Sequence, residues 1–143
     1  MQPGYQASMF ISNHRLIAAV IFWIAGVISA QAAVMSAVTS DAQGNNYLLD
    51  TEGMTRKGYI VYVWQLQNLA KRNEEGVLSI RTQVEFDCRF RQSRVMWVTL
   101  YPEADEGGTV ISSGLVSNPQ WVPAQPGDVT DTLIDYACRR IMR

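Results

Sequence analysis

Histidine is the residue that this sequence most clearly lacks. The chain has 143 residues and one histidine, His14, which precedes a long apolar run near the N-terminus. Beyond that run no side chain has an unperturbed pKa near neutrality. This removes the usual general base, Ser-His-Asp and Cys-His nucleophiles, and ordinary zinc sites. The sequence therefore predicts a protein that is not an enzyme and that has no catalytic residue, metal or cofactor.

A basic excess is also missing. The chain carries 12 Lys and Arg against 13 Asp and Glu, a net charge of −1. One basic residue, Arg15, lies just before the apolar run, so the rest of the chain carries 11 against 13, a net charge of −2. Nucleic-acid-binding domains normally show a clear basic excess. We therefore expect no nucleic-acid partner.

A long apolar run without charge lies near the N-terminus. Residues 16–30 read LIAAVIFWIAGVISA, follow Arg15 and lead into Ala30-Gln31-Ala32. A basic flank, an apolar run and small residues at −3 and −1 are typical of a secretory signal peptide. We expect residues 1–32 to be a signal peptide that is cleaved after Ala32. The secreted domain would then be residues 33–143, with no membrane-spanning segment of its own.

Two alternatives to this interpretation stay open. Apolar character continues weakly to Val38, so the run is alternatively an uncleaved anchor, although it is shorter than the roughly 20 residues that a spanning helix needs. Met9 is an alternative start that would give a shorter leader. No cysteine stands at the end of the run, so a lipid-modified N-terminus is not expected.

Cysteine is scarce, and the two that occur stand in different kinds of element. An even number of cysteines in a secreted chain is typical of a disulfide. Cys88 ends the segment LSIRTQVEFDC, in which apolar and polar residues alternate as in a half-buried antiparallel strand. The face expected to point into the core consists of Ile80, Thr82, Val84, Phe86 and Cys88. The face expected to meet water consists of Ser79, Arg81, Gln83, Glu85 and Asp87.

The last element has the period of a helix. Asp128 offers an N-cap, and the basic residues of the last turn suit the negative end of a helix. Its apolar stripe is expected to be Val129, Leu133, Tyr136 and Ala137, and Cys138 borders that stripe. A cysteine facing the core from a strand and one beside the packing side of a helix can meet where the helix covers the sheet. We therefore predict a Cys88–Cys138 disulfide.

Further segments have strand patterns. Residues 59–66, YIVYVWQL, are apolar on both faces almost throughout, which suits a central strand. A helix over residues 64–72 is the competing interpretation, because WQLQNLAKR also has helical spacing. Trp64 and Trp97 are expected to lie wholly or partly in the core. The remaining strands are expected at residues 34–40, 47–50, 95–101 and 109–113.

The turn RFRQSR is the candidate ligand site. Arg89, Arg91 and Arg94 bring three guanidinium groups within six residues. Such groups match the phosphate or sulfate of lipopolysaccharide or glycosaminoglycans. The alternative is that these charges keep a turn soluble and protect a sheet edge. Trp121, in a proline-rich loop, is expected either to be an exposed contact residue or to cap the sheet edge.

Two other features have weaker claims to function. Glu85 and Asp87 share a strand face at roughly 7 Å, a spacing that glycosidase acids use. We favour a solvated face on which Arg81 and Arg89 are their partners. The pair Gly107-Gly108 lacks the rest of a phosphate-binding motif, so we expect a turn or bulge there.

The order and spacing of these segments resemble the surface-adhesin protein E family of Gram-negative envelope proteins, over roughly residues 45 to 140. The matching features are Tyr47-Leu48-Leu49-Asp50, the strand from Val61 to Leu66, Ser79-Ile80-Arg81, Phe86-Asp87-Cys88, Tyr101, the glycine pair, Trp121 with Pro123, Pro126-Gly127-Asp128 and Ala137-Cys138.

The resemblance implies an α+β fold: a single antiparallel sheet of about six strands, with the C-terminal helix tied to one face by Cys88–Cys138. It also implies an envelope location in the periplasm, at the outer membrane or at the cell surface, and, for the adhesive members, binding to host matrix proteins. Those members are lipoproteins with a basic stretch before the cysteine strand, whereas this chain has Lys71-Arg72 followed by Glu74-Glu75.

We therefore expect a secreted, adhesin-like envelope module that recognises a macromolecular partner. The partner would be a protein or an anionic polysaccharide such as lipopolysaccharide. The alternative is a structural or accessory envelope component that binds other envelope subunits, including self-association into a homodimer along an edge strand.

Overall fold

The computed structural model describes residues 33–141, which form eight β-strands and one α-helix. The elements are β1 (Met35–Ser40), β2 (Asn46–Asp50), β3 (Thr55–Lys57), β4 (Ile60–Asn68), β5 (Ser79–Asp87), β6 (Gln92–Tyr101), β7 (Ser112–Leu115), β8 (Val122–Pro123) and α1 (Val129–Arg140). The strands form one antiparallel sheet in the order β1-β2-β4-β5-β6-β7, with β3 beside β4 and β8 beside β6. The α+β class predicted from the sequence is confirmed. The predicted signal peptide lies outside the described residues.

The strand count differs from the expected six because of two short strands. β3 has three residues and β8 has two, and neither lies in a segment for which the sequence predicts a strand. The strand expected at residues 109–113 is found at Ser112–Leu115. Of this segment, only these residues are paired in register with β6, from Leu100 opposite Ser112 to Trp97 opposite Leu115. Residues 64–68 continue β4, so the competing helix over residues 64–72 does not form.

One face of the sheet and one side of α1 form the hydrophobic core. Val61 pairs with Phe86 and Val63 with Val84, and all four side chains are almost fully buried. They pack with Leu49 and with four residues of the helix, Leu133, Ile134, Ala137 and Cys138. The alternation in β5 therefore predicted its core face correctly at Val84 and Phe86.

The helix begins as its sequence predicts but buries a slightly different stripe. Asp128 is the N-cap, and its carboxylate accepts a hydrogen bond from the backbone N–H of Asp131 at 2.6 Å. Val129 and Tyr136, expected in the stripe, are only partly buried. Ile134 is also fully buried, and it lies one turn before Cys138 on the same side of the helix.

The predicted Cys88–Cys138 disulfide is confirmed. It joins residues 50 positions apart, with a Cα–Cα distance of 5.8 Å. Cys88 directly follows β5, and Cys138 lies in the last turns of α1. The bond therefore ties the central part of the sheet to the helix that covers it.

The prediction that the second face of β5 meets water is wrong at three positions. Glu85 and Asp87 are each 7% exposed, and Ser79 is fully buried. Asp87 Oδ1 accepts the backbone N–H groups of Arg89 and Phe90 at 2.9 and 3.0 Å, which holds the carboxylate inside the turn.

The partners expected for these carboxylates are also different. Glu85 pairs with Arg94 rather than Arg81, while Arg81 pairs with Glu106. Arg89 contacts Asp87 through its backbone and not through its guanidinium. The cross-strand register places Arg94 directly opposite Glu85, which no pattern within β5 reveals.

Candidate functional site

The candidate site is the sheet face that α1 leaves open. Because Val61 and Val63 point toward the helix, Trp64 of β4 points to the opposite face. The register aligns Trp64, Gln83 and Trp97 in one row across β4, β5 and β6. We call this surface the tryptophan–arginine face and define it by Trp64, Arg81, Gln83, Arg94, Trp97 and Trp121.

Arg81 is fixed at one end of this face by two contacts. Its guanidinium carbon lies 4.5 Å from the centroid of the Trp64 ring. Its Nη1 donates to Glu106 Oε2 at 2.7 Å. A guanidinium held between an aromatic face and a carboxylate has few rotamers left, so its position is set before any partner arrives.

The loop between β6 and β7 carries Glu106 to this position. Ser79 Oγ donates to the carbonyl of Glu103 at 2.6 Å and accepts the N–H of Glu106 at 3.1 Å. The side chain of Asn68 donates to Asp105 at 2.6 Å. Asp105 and Glu106 both have positive φ, 53° and 64°, a conformation that costs free energy in residues other than glycine. These hydrogen bonds hold the strained loop against the open face.

The glycine pair in the same loop forms the expected turn. Gly107 donates its N–H to the carbonyl of Ala104 at 3.0 Å. Gly108 has a φ of 79°, and a Cβ at that position would lie 2.6 Å from Pro102. Glycine is therefore required there for both backbone conformation and space.

Arg94 and Trp121 form the other end of the face. Arg94 directs Nε and Nη2 to the same oxygen of Glu85, at 2.7 and 2.6 Å. Its guanidinium carbon lies 4.4 Å from the centroid of the half-buried Trp121 ring. The structure thus brings together two of the four ligand-binding residues that the sequence predicts, and Trp121 lies against the sheet edge just before β8.

The other two predicted ligand residues lie elsewhere. Arg91 reaches α1, where its Nε donates to Asp131 Oδ1 at 2.9 Å. Arg89 is exposed between the rings of Tyr59 and Phe90, at 5.5 and 5.3 Å from their centroids. The guanidinium groups of Arg89, Arg91 and Arg94 therefore have three different sets of partners and do not converge on one anion.

Sequence reasoning missed the central part of this face. Trp64 and Trp97 are half-buried, which agrees with the expectation of whole or partial burial, but both lie on the face opposite α1. Trp97 Nε1 donates to Thr99 Oγ1 at 3.1 Å and to Ser113 Oγ at 3.0 Å. The signal in the sequence is that Val61 and Val63 alternate with Trp64 along β4, while α1 is the one helix of residues 33–141 that covers the sheet.

A concavity of about 540 Å³ adjoins the face beside Arg81. Its lining combines apolar side chains with one basic and two acidic ones: Ala33, Met35, Leu48, Leu66, Arg81, Asp105 and Glu106. Nearby, burial and the negative charge of Glu106 raise the pKa of Tyr101, while the positive charge of Arg81 opposes this rise. This mixed lining suits the side chain of a binding partner.

The carboxylates of the face are engaged in structural contacts. Glu85 holds Arg94, and Asp87 holds the turn after β5. Within residues 33–141, no group of three or more His, Cys, Asp or Glu side chains is arranged to hold a metal ion. The same part of the chain contains no helix with the length and apolar character needed to cross a membrane.

Comparisons with known proteins agree with this fold. The family model described as surface-adhesin protein E matches residues 34–139. No curated protein matches the chain. Crystal form II of Haemophilus influenzae protein E is 17% identical with a TM-score of 0.58, and the match covers 78% of this chain and 100% of that one. Protein E from non-typeable Haemophilus influenzae is 15% identical with a TM-score of 0.52, and the match covers 72% of this chain and 75% of that one.

At these sequence identities the structural likeness bears on the fold alone. The family match is a separate finding, and it spans nearly the whole of the described chain. The protein belongs to the surface-adhesin protein E family, which implies an extracellular or cell-surface protein.

Proposed function

We propose that this chain is an adhesin-like module that binds a protein partner through the tryptophan–arginine face. The observation that carries the proposal is the pair of arginines stacked on tryptophans, on the one sheet face that α1 leaves open. Tryptophan and arginine are the residues that most often dominate the energetics of protein–protein interfaces. Family membership supports a binding role at the cell surface.

The proposal is strengthened by how firmly the face is organised. Arg81 and Arg94 are each held by a ring and a carboxylate, while 26% and 31% of their side chains remain exposed. A guanidinium has five N–H donors, so each arginine keeps donors for a partner. Because the side chains are already fixed, binding would cost little side-chain entropy.

The charge balance favours a protein over an anionic polysaccharide as the partner. Each arginine on the face is paired with a carboxylate, Arg81 with Glu106 and Arg94 with Glu85. Polyanions bind most strongly to surfaces with an uncompensated positive charge. Arg94 and Trp121 keep the binding role predicted for them, whereas Arg91 contributes to the attachment of α1.

Affinity capture tests the proposal. The disulfide-intact protein is immobilised and exposed to host-matrix and envelope extracts, and retained proteins are identified. Gln83→Lys places a charge in the tryptophan row, and Trp121→Ser removes one end of the face. We expect each change to weaken retention by about tenfold or more, as hot-spot substitutions do.

The matched control is Arg139→Glu, because 75% of this helix side chain is exposed and it lies outside the face. It is expected to retain the partner like the wild type. Equal retention by Gln83→Lys, Trp121→Ser and the wild type would refute the assignment of the face. Retention of a polysaccharide in place of a protein would refute the partner class.

A second candidate function rests on the edge of the sheet. β7 pairs only with β6 among the described strands, so its other side is a free edge. Leu115 is 73% exposed there, and Val110 and Ile111 are exposed beside it. Such an edge is a template for pairing with another chain. The alternative proposal is an accessory envelope component that forms a homodimer through β7.

Light scattering after size-exclusion chromatography distinguishes this alternative. A homodimer at micromolar concentration that Leu115→Lys dissociates, in a protein that retains no other partner, would favour the accessory role. A monomer at the same concentration would count against it.

A further inference from the structure

A basic and apolar patch covers one end of the sheet. It lies where β4 and β6 begin and β5 ends, because Ile60, Asp87 and Gln92 are paired in register there. The turn before β4, the turn after β5 and the short strand β8 meet at this end. We call this surface the tip patch and define it by Arg56, Lys57, Tyr59, Arg89, Phe90 and Val122.

The apolar part of the tip patch is unusually exposed. Tyr59, Phe90 and Val122 are 57%, 66% and 59% exposed. Arg89 lies within 5.5 Å of both aromatic ring centroids, so the apexes of two hairpins form one contiguous surface. Large apolar side chains that are exposed together at the ends of turns indicate a site that contacts another molecule or a membrane.

The charge of the tip patch is positive. Arg56, Lys57 and Arg89 form no ion pair with any acidic residue in the part of the chain that the structure describes. The nearby acids are already engaged, since Asp87 holds the turn amides and Asp131 holds Arg91. This positive patch stands on a chain whose net charge is −1.

The acidic loops lie at the other end of the sheet. Together, the connections that follow β4 and β6 have an acidic excess, with Glu74, Glu75, Glu103, Asp105 and Glu106 against Lys71 and Arg72. The strands are antiparallel, so these loops are at the end opposite the tip patch. The domain is therefore polarised in charge along its strands, and its positive end also exposes Tyr59, Phe90 and Val122.

We propose that the tip patch docks onto the surface of an anionic phospholipid bilayer. Tyr59, Phe90 and Val122 enter the interfacial region, where aromatic rings are favoured. The three basic side chains meet headgroup phosphates while their aliphatic stems follow the apolar surface. A soluble polyanion would use the same charges but offers nothing to Phe90 and Val122, which is why the bilayer is the better match.

This proposal is independent of the proposed function. A domain that docks through the ends of its strands leaves the sheet face opposite α1 accessible. The tryptophan–arginine face therefore remains open to a partner while the tip patch is on the membrane.

Hydrogen–deuterium exchange on the full chain tests the docking locally. Exchange is measured with phosphatidylglycerol–phosphatidylcholine vesicles and with phosphatidylcholine vesicles. We expect slower exchange at residues 56–60 and 88–91 with the anionic vesicles only. Exchange is measured at the tip patch itself. Attachment of the chain to vesicles through residues 16–30 would therefore not slow exchange at residues 56–60 and 88–91.

Variants sharpen this test. Each of Lys57→Gln and Arg89→Gln is expected to weaken the tip-dependent protection by about fivefold, the contribution of one basic side chain near an anionic surface. Phe90→Ser is expected to weaken it by about tenfold, because it removes most of the inserted apolar area. All three side chains are exposed, so the fold is retained, and a cooperative thermal transition verifies this for each variant.

Leu115→Ser and Arg139→Gln are the matched apolar and basic controls outside the tip patch, and both should behave like the wild type. Unchanged exchange at the tip, or equal protection by neutral vesicles, would overturn the proposal. Protection by heparin that Phe90→Ser leaves intact, without protection by anionic vesicles, would overturn it in favour of a polyanion site.

Discussion

Buried polar side chains on the sheet differ in whether they have partners. Thr99 and Thr82 are similarly buried, at 7% and 9% exposed, on adjacent strands. Thr99 Oγ1 shares hydrogen bonds with Ser113 and Trp97, whereas Thr82 Oγ1 has no partner within residues 33–141. A buried hydroxyl without a partner loses its hydration and gains nothing in return.

We therefore expect Thr82→Val to stabilise the fold by about 1 kcal/mol, since valine keeps the shape and the β-branch. Thr99→Val is the matched control and should destabilise the fold by about the same amount, because Trp97 and Ser113 each lose their hydrogen bond to Thr99. Urea unfolding of the two variants measures both changes. A loss of stability in Thr82→Val would contradict the assignment of an unsatisfied hydroxyl.

Asp131 is a residue of α1 whose carboxylate pairs with Arg91 of the turn after β5. The backbone N–H of Gly127 and the guanidinium of Arg91 lower the pKa of this carboxyl. A lowered pKa in the folded state means that folding favours the charged form. The resulting stabilisation is fully present above the unfolded pKa of about 3.9 and is lost as the pH falls through the lower folded pKa.

Asp131→Asn is therefore expected to be less stable than the wild type at neutral pH, with a difference that shrinks below about pH 4. Chemical unfolding at a series of pH values measures the difference. Arg91→Gln should show the same dependence in weaker form, since the Gly127 contact remains. A difference that stays constant down to about pH 2 would contradict the assigned ion pair.

At the scale of elements, the disulfide determines how α1 lies on the sheet. It closes a segment of 50 residues and joins the end of β5 to the last turns of the helix. Cross-linking a segment of this length removes conformational entropy from the unfolded chain. Ile134 and Cys138 both lie on the buried side of α1.

Cys138→Ser is expected to lower the free energy of unfolding by about 2–5 kcal/mol. The comparison is with Cys88→Ser and with the double substitution, which remove the same bond and should cost about as much as either single change. Thermal or urea unfolding without reductant provides the measurement. A double variant that loses the sum of the two single effects would contradict a shared bond.

The sequence predicted the elements better than it predicted the face they expose. The core positions Val84 and Phe86 of β5 and the cap at Asp128 follow from local signals, and both correspond to the structure. The partners of Glu85 and Arg81 depend on cross-strand register and on the β6–β7 loop, which no local pattern encodes. Trp64 is apolar and lies in a central strand, which favours burial, but within residues 33–141 no helix covers its face of the sheet.

The arginine cluster failed as a single site for a similar reason. The turn after β5 is tight, and Arg91 adopts a φ of 49° within it. Successive guanidinium groups therefore leave the turn in different directions, Arg91 toward α1 and Arg94 toward Trp121. Sequence proximity indicated a cluster, but the geometry of the turn divides it.

At the scale of the whole molecule, the sequence predicts export with removal of the leader. The intact mass of the exported protein without reductant should correspond to a chain that begins at Ala33 and is two hydrogens lighter than its dithiol form. The disulfide provides an internal check, because its reduction should raise the mass by two hydrogens to that of the dithiol form. A mass that includes residues 1–32 would show that the apolar run is retained as an anchor.

The two faces of the sheet differ in what they contact. One sheet face is buried by α1 and locked by Cys88–Cys138, and the opposite face presents tryptophans with arginines fixed against them. The central claim is that this open face, and not the helix, is where the partner binds.

Hydroxyl-radical footprinting of the protein with its captured partner tests this claim most directly, because oxidation reports the solvent exposure of individual side chains. We predict that oxidation of Trp97 and Trp121 falls in the complex while that of Tyr136 on α1 is unchanged. Unchanged tryptophans together with a protected Tyr136 would contradict the claim and place the partner on the helix.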